Sequence, residues 1–232
     1  KLLTVDHITS PTAIVFPVAR IAKAARNAGI AVLVDGAHAP GHIDIDVKTI
    51  GADWYTGNAH KWLFAPRGCG LLWTAPHRQG QTLPAVLSHG VEAGYTKAFD
   101  WVGTRDVTAW LSFDAALDAH GRFGGPDLMV RNRKLAEEAG DAVAKNLGGR
   151  LSAPVQMRGA MAAIDLGPIG ADIEAADKMR WYIAAQQKTI TALFQFDGRI
   201  LMRLSAQSYN QRDDYAALAK VISDVKSATA SR

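Results

Sequence analysis

Cysteine is almost missing: Cys69 is the single one in 232 residues. An internal disulfide framework is therefore excluded, and a lone thiol fits a reducing compartment, so the expected location is cytoplasmic. Long hydrophobic runs are missing too. No stretch approaches the roughly 18–20 apolar residues that span a bilayer, so no membrane association is expected. The opening Lys1-Leu2-Leu3-Thr4-Val5 reads as a strand and not as a signal peptide. Nor is there a block of about five or six basic residues, which removes the usual footprint of nucleic-acid binding. The net charge of +4 is modest and suits small anionic ligands such as a phosphate or a carboxylate. What is present is a chain 48% hydrophobic, long enough to bury a real core in one or two domains.

The order of elements predicts an α/β chain. Lys1 to Val5 reads as a strand. Pro17 opens a short amphipathic helix whose apolar positions are Ile21, Ala24, Ala25 and Ala28, and Gly29 stops it. Ala31 to Val34 is a second, buried strand, so strand, helix and strand make a βαβ unit with parallel strands. Asp46 to Ile50 suits one helical turn, Trp54 to Thr56 a strand and Gly68 to Trp73 another. Residues 74–107 look irregular. Helices are expected over Asp106–Ala119, Pro126–Leu147, Ala171–Gln187 and Asp213–Lys226, with strands at Ala160–Leu166, Thr189–Phe194 and Ile200–Ser205. This gives a large, parallel-dominated α/β domain over 1–125 and a smaller α+β domain over 126–232.

Two strand ends carry chemistry. Ala31 to Val34 runs straight into Asp35 and then Gly36-Ala37-His38. Trp54-Tyr55-Thr56 empties into Gly57-Asn58-Ala59-His60-Lys61. Open α/β sheets take their ligands at the carboxyl ends of strands. A strand-end carboxylate with a lysine after a polar turn suits pyridoxal 5′-phosphate, which needs a lysine for its Schiff base and an acid on its pyridine nitrogen. Singly, each has an ordinary role: a strand-end Asp forms turns, and a lone lysine is solvated.

Taken together, VDGAHAPGHIDIDV from Val34 and GNAHKWLFAPRGCGLLW from Gly57 resemble the class V aminotransferase family of fold-type I pyridoxal-phosphate enzymes. Within it the likeness leans to the isopenicillin N epimerase-like branch. VDHITSPTA from Val5 and RLSAQSYN from Arg203 match the same family in the same order, so the resemblance spans nearly the whole chain. It implies Lys61 as the Schiff-base lysine and the base at the substrate α-carbon, and Asp35 as the partner of the pyridine nitrogen. It implies His38 at the cofactor's ring face or phenolic oxygen, with Ser10 near that oxygen, and Asn58 and His60 as phosphate contacts. Gly103-Thr104 matches a motif that reaches the phosphate from a partner subunit, which implies a homodimer with a shared site. Thr104 otherwise caps the helix expected at Asp106, and Ser10 otherwise forms a turn before Pro11. Arg203, among Ile200, Leu201, Met202 and Leu204, matches the group that takes the substrate carboxylate through its planar fork; on pattern alone it also suits an exposed strand face. Family members carry a segment before this point, holding part of the phosphate loop and the ring that stacks on the pyridine. The chain therefore reads as a fragment.

The resemblance is more specific for the family than for the reaction. Epimerisation at the α-carbon of an amino-acid-type substrate is the first expectation. A desulfurase or selenocysteine-lyase type of carbon–sulfur or carbon–selenium cleavage is the alternative. Cys69 disfavours persulfide chemistry, because it lies between Gly68 and Gly70 in a buried strand, where a thiol acts as a small hydrophobe. A third expectation is a non-catalytic piece whose incomplete sheet exposes an edge and an apolar face. His38, His42, Asp44 and Asp46 also cluster, but Pro40-Gly41 breaks the helix that would put the two histidines on one face, so no metal is expected.

Overall fold

The computed structural model describes residues 1–167 and 173–230. The chain divides into two compact units, one of Lys1–Ile8 with Phe16–Arg122 and one of Thr9–Val15 with Phe123–Arg232.

The first unit is built on a sheet of order β1 (Leu2–Asp6), β2 (Ala31–Gly36), β3 (Trp54–Asn58), β4 (Gly70–Thr74). β1, β2 and β3 are parallel, as the βαβ pattern requires, and β4 runs antiparallel to β3. The short link from β3 to β4 explains the reversal, since a parallel return takes a longer crossover. α1 (Val18–Asn27) begins after Pro17 and ends before Gly29, which adopts a positive φ of 67°. Its buried face is Val18, Ala22 and Ala25, whereas the sequence predicted Ile21, Ala24, Ala25 and Ala28. In so alanine-rich a helix apolar spacing defines the face poorly, and contact with the sheet decides it. α2 (Val47–Ile50) is one turn, capped by the Asp46 carboxylate, which accepts from Lys48 N at 2.9 Å. Asp53 ties the amino ends of the strands together: it accepts from Val32 N at 2.7 Å and from Arg78 Nε at 2.6 Å.

β3 runs directly into α3 (Ala59–Trp62), the turn that bears the lysine. Cys69 lies just before β4, outside the strand predicted to contain it. The stretch 74–107 is less irregular than expected. It contains α4 (Tyr95–Asp100), in which the Tyr95 and Phe99 rings meet one turn apart at a tilt of 52° with centroids 5.0 Å apart, and the Tyr95 hydroxyl donates to Thr74 at 2.9 Å. So short a helix leaves no periodic trace in the sequence. The helix predicted over Asp106–Ala119 is broken into α5 (Thr108–Leu111) and α6 (Phe113–Arg122). At the break, Ser112 Oγ donates to Thr108 O at 2.8 Å, a local bond that competes with helix continuation.

The second unit holds an antiparallel sheet of order β5 (Arg150–Leu151), β6 (Met161–Asp165), β8 (Arg199–Ser205), β7 (Ala192–Phe196). α7 (Pro126–Leu147) has the predicted bounds. α8 (Ile173–Gln187) was predicted from Ala171, which lies outside the described residues. α9 (Arg212–Ala230) completes the unit. Ile164, Leu193, Ile200, Met202 and Leu204 form one apolar face, packed on Leu135, Ala139 and Val143 of α7, Ile183 of α8, and Leu218 and Ile222 of α9. The segment Thr9–Val15 belongs to this unit and is pinned by Val15 N donating to Met157 O at 2.8 Å. No helix among the described residues is long and apolar enough to cross a membrane.

Candidate functional site

In the first unit the register puts Asp6, Asp35 and Thr56 side by side at the carboxyl ends of three parallel strands, with Gly36 beside Gly57 one step further. Asp35 is half-buried. One carboxylate oxygen accepts from Ala37 N at 2.9 Å, closing the turn; the other has no partner among the described residues. An acceptor fixed at one oxygen and open at the other is what a protonated ring nitrogen requires.

The turn that follows β2 packs on the lysine turn. A Cβ at Gly41, which has φ of 76°, would lie 2.8 Å from the backbone of Trp62, so only glycine lets the two turns approach. The Trp62 indole donates to His38 Nδ1 at 3.4 Å, which assigns the imidazole hydrogen of neutral His38 to Nε2. His42 is fully buried, hydrogen-bonded through Nδ1 to His38 O at 3.0 Å and stacked on Trp62 with ring centroids 4.1 Å apart. Buried as this packing element, it stands apart from the exposed Asp44 and Asp46 with which it clustered in sequence.

Asn58 ends β3 at the cap position of α3, yet its amide makes no capping bond and has no partner among the described residues. His60 Nδ1 donates to Cys69 O at 3.2 Å, so Nε2 donates to an anion only in the imidazolium form. Lys61, two residues past Ala59 in α3, is exposed. Ala59, Leu63, Ala65 and Cys69 bury their apolar atoms against Ala116 of α6, which anchors the turn from below. Burial raises the Cys69 thiol above its ordinary range, away from the reactive thiolate.

Thr104 is exposed and bonds no described residue. The cap expected of it is absent: Val107 holds the cap position of α5 without a side-chain bond, and the Asp106 carboxylate before it accepts from Thr108 N at 2.8 Å. The helix starts at Thr108, two residues later than the sequence predicts.

The second unit holds the remaining candidates. Arg203 Nη1 donates to Ser10 O at 2.6 Å and to Ser10 Oγ at 2.9 Å, and the guanidinium lies 5.5 Å from the ring centre of Phe194. Its buried Nε has no partner, and no described carboxylate pairs with it. Desolvation lowers the Arg203 pKa, so a half-buried cation without an anionic partner is in place for one. Ser10, expected near a phenolic oxygen, holds this guanidinium through both its oxygens.

Trp62, which sets the tautomer of His38, was not anticipated. Nothing in sequence spacing signals a contact made across two turns.

The family model for aminotransferase class-V matches residues 1–217. A probable L-cysteine desulfhydrase, chloroplastic, of Arabidopsis thaliana is 32% identical, covering 96% of this chain and 50% of that protein. The isopenicillin N epimerase of Streptomyces clavuligerus is 30% identical, covering 96% and 59%. The chain thus spans half to three-fifths of the length of these relatives. The apo cysteine desulfurase of Thermococcus onnurineus NA1 shares the fold, with a TM-score of 0.79 at 19% identity over 97% of this chain and 60% of that one. The relatives include both an epimerase and a desulfhydrase at nearly equal identity, so the likeness to the epimerase branch carries no preference over the lyases. The α/β fold, the edge carboxylate, the lysine turn and the family model agree, and the chain belongs to the aminotransferase class-V family.

Proposed function

We propose that this chain carries the cofactor- and substrate-binding residues of a pyridoxal-phosphate enzyme that removes the α-proton of an amino-acid-type substrate. The observation that carries the reading is the register of β2 and β3, which sets Asp35 and the turn bearing Lys61 at the carboxyl ends of neighbouring parallel strands. Class V aminotransferases use pyridoxal 5′-phosphate, and the residues fit it: an acid with one open oxygen, an exposed lysine, an unengaged amide at Asn58 and a histidine at His60. Once bound, that cofactor withdraws electron density from the substrate's α-carbon.

The chain's own residues then have separate tasks. Asp35 would pair with the ring nitrogen through its open oxygen and favour the protonated ring. His38 would meet the ring face or the phenolic oxygen. Asn58 and His60 would hold the phosphate, and Thr104 of a second subunit would add a contact. Exposed Trp101, Trp110 and Leu111, close to Thr104 in the chain, support such a homodimer. Arg203, steadied by Ser10, takes the substrate carboxylate. Lys61 would hold the cofactor through its amine and move the α-proton. The first unit is then the cofactor-binding domain and the second the carboxylate-binding one.

Return of the proton to the opposite face gives epimerisation, the first reading. Loss of a β-sulfur or β-selenium group is the second, favoured by the desulfhydrase relatives; the buried Cys69 is a poor persulfide acceptor for it. Borohydride reduction of the chain with pyridoxal phosphate, followed by peptide mass spectrometry, tests the whole. The expected product is one phosphopyridoxyl group on Lys61, absent in Lys61→Ala. A folded chain without that adduct would return it to the non-catalytic reading. Deuterium uptake at the α-carbon, measured against sulfide release, separates the two reactions.

A further inference from the structure

Beneath Asp35, on the other face of the sheet, lies a buried pair that the reading above leaves unused. Tyr55 of β3 is 1% exposed and His7, just past β1, is 7% exposed; the Tyr55 hydroxyl and His7 Nδ1 are 2.8 Å apart. The pair bridges the strand between them. Tyr55 reaches His7 by passing under Gly36 of β2, where a Cβ would fall 2.3 Å from the phenol ring. Gly36 is therefore fixed by the pair. His7 is also bonded to the strand it bridges, since His7 N donates to Asp35 O at 2.7 Å. One hydrogen-bonded couple thus joins the residue after β1 to the second residue of β3 across Gly36 of β2, and it touches the backbone of the residue assigned to the ring nitrogen.

The protonation of the couple follows from its surroundings. Burial and the charge of Asp35 raise the Tyr55 pKa, so the phenol keeps its hydrogen. The hydroxyl has no other partner among the described residues, so it donates to Nδ1, and the imidazole carries its single hydrogen on Nε2. Burial lowers His7 to about 4, so at neutral pH the ring is uncharged. From the helix side, Arg20 of α1 and the exposed Asp44 and Asp46 face His7 around a cavity of about 260 Å³. Asp35 makes no ion pair among the described residues. Its charge is left for whatever approaches from the open face.

We propose that His7 and Tyr55 are positioning residues for Asp35: an uncharged strut that ties β1 to β3 across the end of β2 and keeps a competing cation away from the carboxylate. The ring nitrogen of the cofactor is then the positive charge that Asp35 meets. This rests on the pyridoxal-phosphate reading and adds to it two residues that touch neither cofactor nor substrate.

The test first establishes that the wild-type chain takes pyridoxal phosphate on Lys61; failure there is failure of the cofactor reading itself. Tyr55→Phe then removes the donor while keeping the ring under Gly36. It should weaken cofactor binding about tenfold, the loss expected of one buried hydrogen bond, and shift the pH midpoint of the bound cofactor's absorption. His7→Gln keeps an uncharged acceptor and should stay within about threefold of wild type. A Tyr55→Phe chain that is less stable yet binds with unchanged affinity and an unchanged absorption titration reduces the pair to packing. So does a His7→Gln chain as impaired as Tyr55→Phe. Should either variant fail to fold, nitrogen-15 imidazole spectra of the wild-type apo chain decide: hydrogen on Nε2 and bare Nδ1 are expected, and hydrogen on Nδ1 overturns the proposal.

Discussion

The two sheets are built on opposite plans. The sheet of the second unit is antiparallel, with one continuous apolar face against three helices, and Ile164 and Met202 are entirely buried there. The sheet of the first unit is mostly parallel. The face it turns toward Asp35 and Thr56 also carries Leu2 and Leu72, both more than a third exposed. β2 ends in Gly36 and β3 carries Gly57 one residue before its end, and side chains at these two positions would collide with Tyr55 and Pro40. The contrast separates two tasks. The second sheet is optimised for burial, and the first gives up burial and side chains at one edge so that backbone turns pack closely and polar groups stay accessible.

Substitution at that edge should act on chemistry and leave stability nearly untouched. Asp35→Asn is expected to lower the rate of α-deuterium exchange by about 10²–10³-fold, the typical loss on removing one preorganised electrostatic group. Its urea midpoint should stay close to wild type, and a drop in the midpoint large enough to explain the lost rate would erase the distinction between the sheets. The reverse is expected in the other sheet. Ile164→Ala should destabilise the fold by about 2–5 kcal/mol, whereas Leu72→Ala on the open face should stay within about 0.5 kcal/mol. Equal effects in urea unfolding would mean the open face is as well packed as the core.

Acid sharpens the comparison further. His7 titrates near 4 when folded and near 6.5 when unfolded, so between these values the unfolded chain binds more protons. Its contribution is complete above about pH 6.5 and is lost as the pH falls toward 4, amounting to about 3 kcal/mol. Denaturant midpoints at pH 7 and pH 4 measure the loss, and His7→Gln should remove most of it. The hydrogen-bonded carboxylates of Asp46 and Asp106, held below their usual value, yield only at still lower pH. The mildest effect is expected at Arg203. Arg203→Lys keeps the charge but loses the fork, and should weaken amino-acid binding about tenfold while leaving the cofactor's absorption unchanged. Loss of cofactor in that variant would break the assignment of carboxylate binding to the second sheet.

Much of both plans was legible in the residues. The run Ala31 to Val34 ending in Asp35, the Pro17 and Gly29 limits of α1 and the whole of α7 follow from local propensity and punctuation. Those forces act within a few residues, so the sequence expresses them directly. The break at Ser112, the short α4 and the two-residue β5 were not legible, because each is settled by one bond or one contact with a distant strand. The site divides in the same way. Asp35, Lys61, Asn58 and His60 are marked by a strand running into a polar turn. The hold of Ser10 on Arg203 joins positions 193 residues apart, and the bridge from Tyr55 to His7 joins positions 48 apart.

The amino-acid order alone determined the family, since an acid and a lysine after two strand ends stand in motifs that resemble the class V aminotransferases. Tertiary structure decided which nitrogen of His38 carries hydrogen, which oxygen of Asp35 stays open and why Gly36 lacks a side chain. Hydrogen-bond partners and close approaches are properties of positions in space, and chain order does not specify them until the strands are in register.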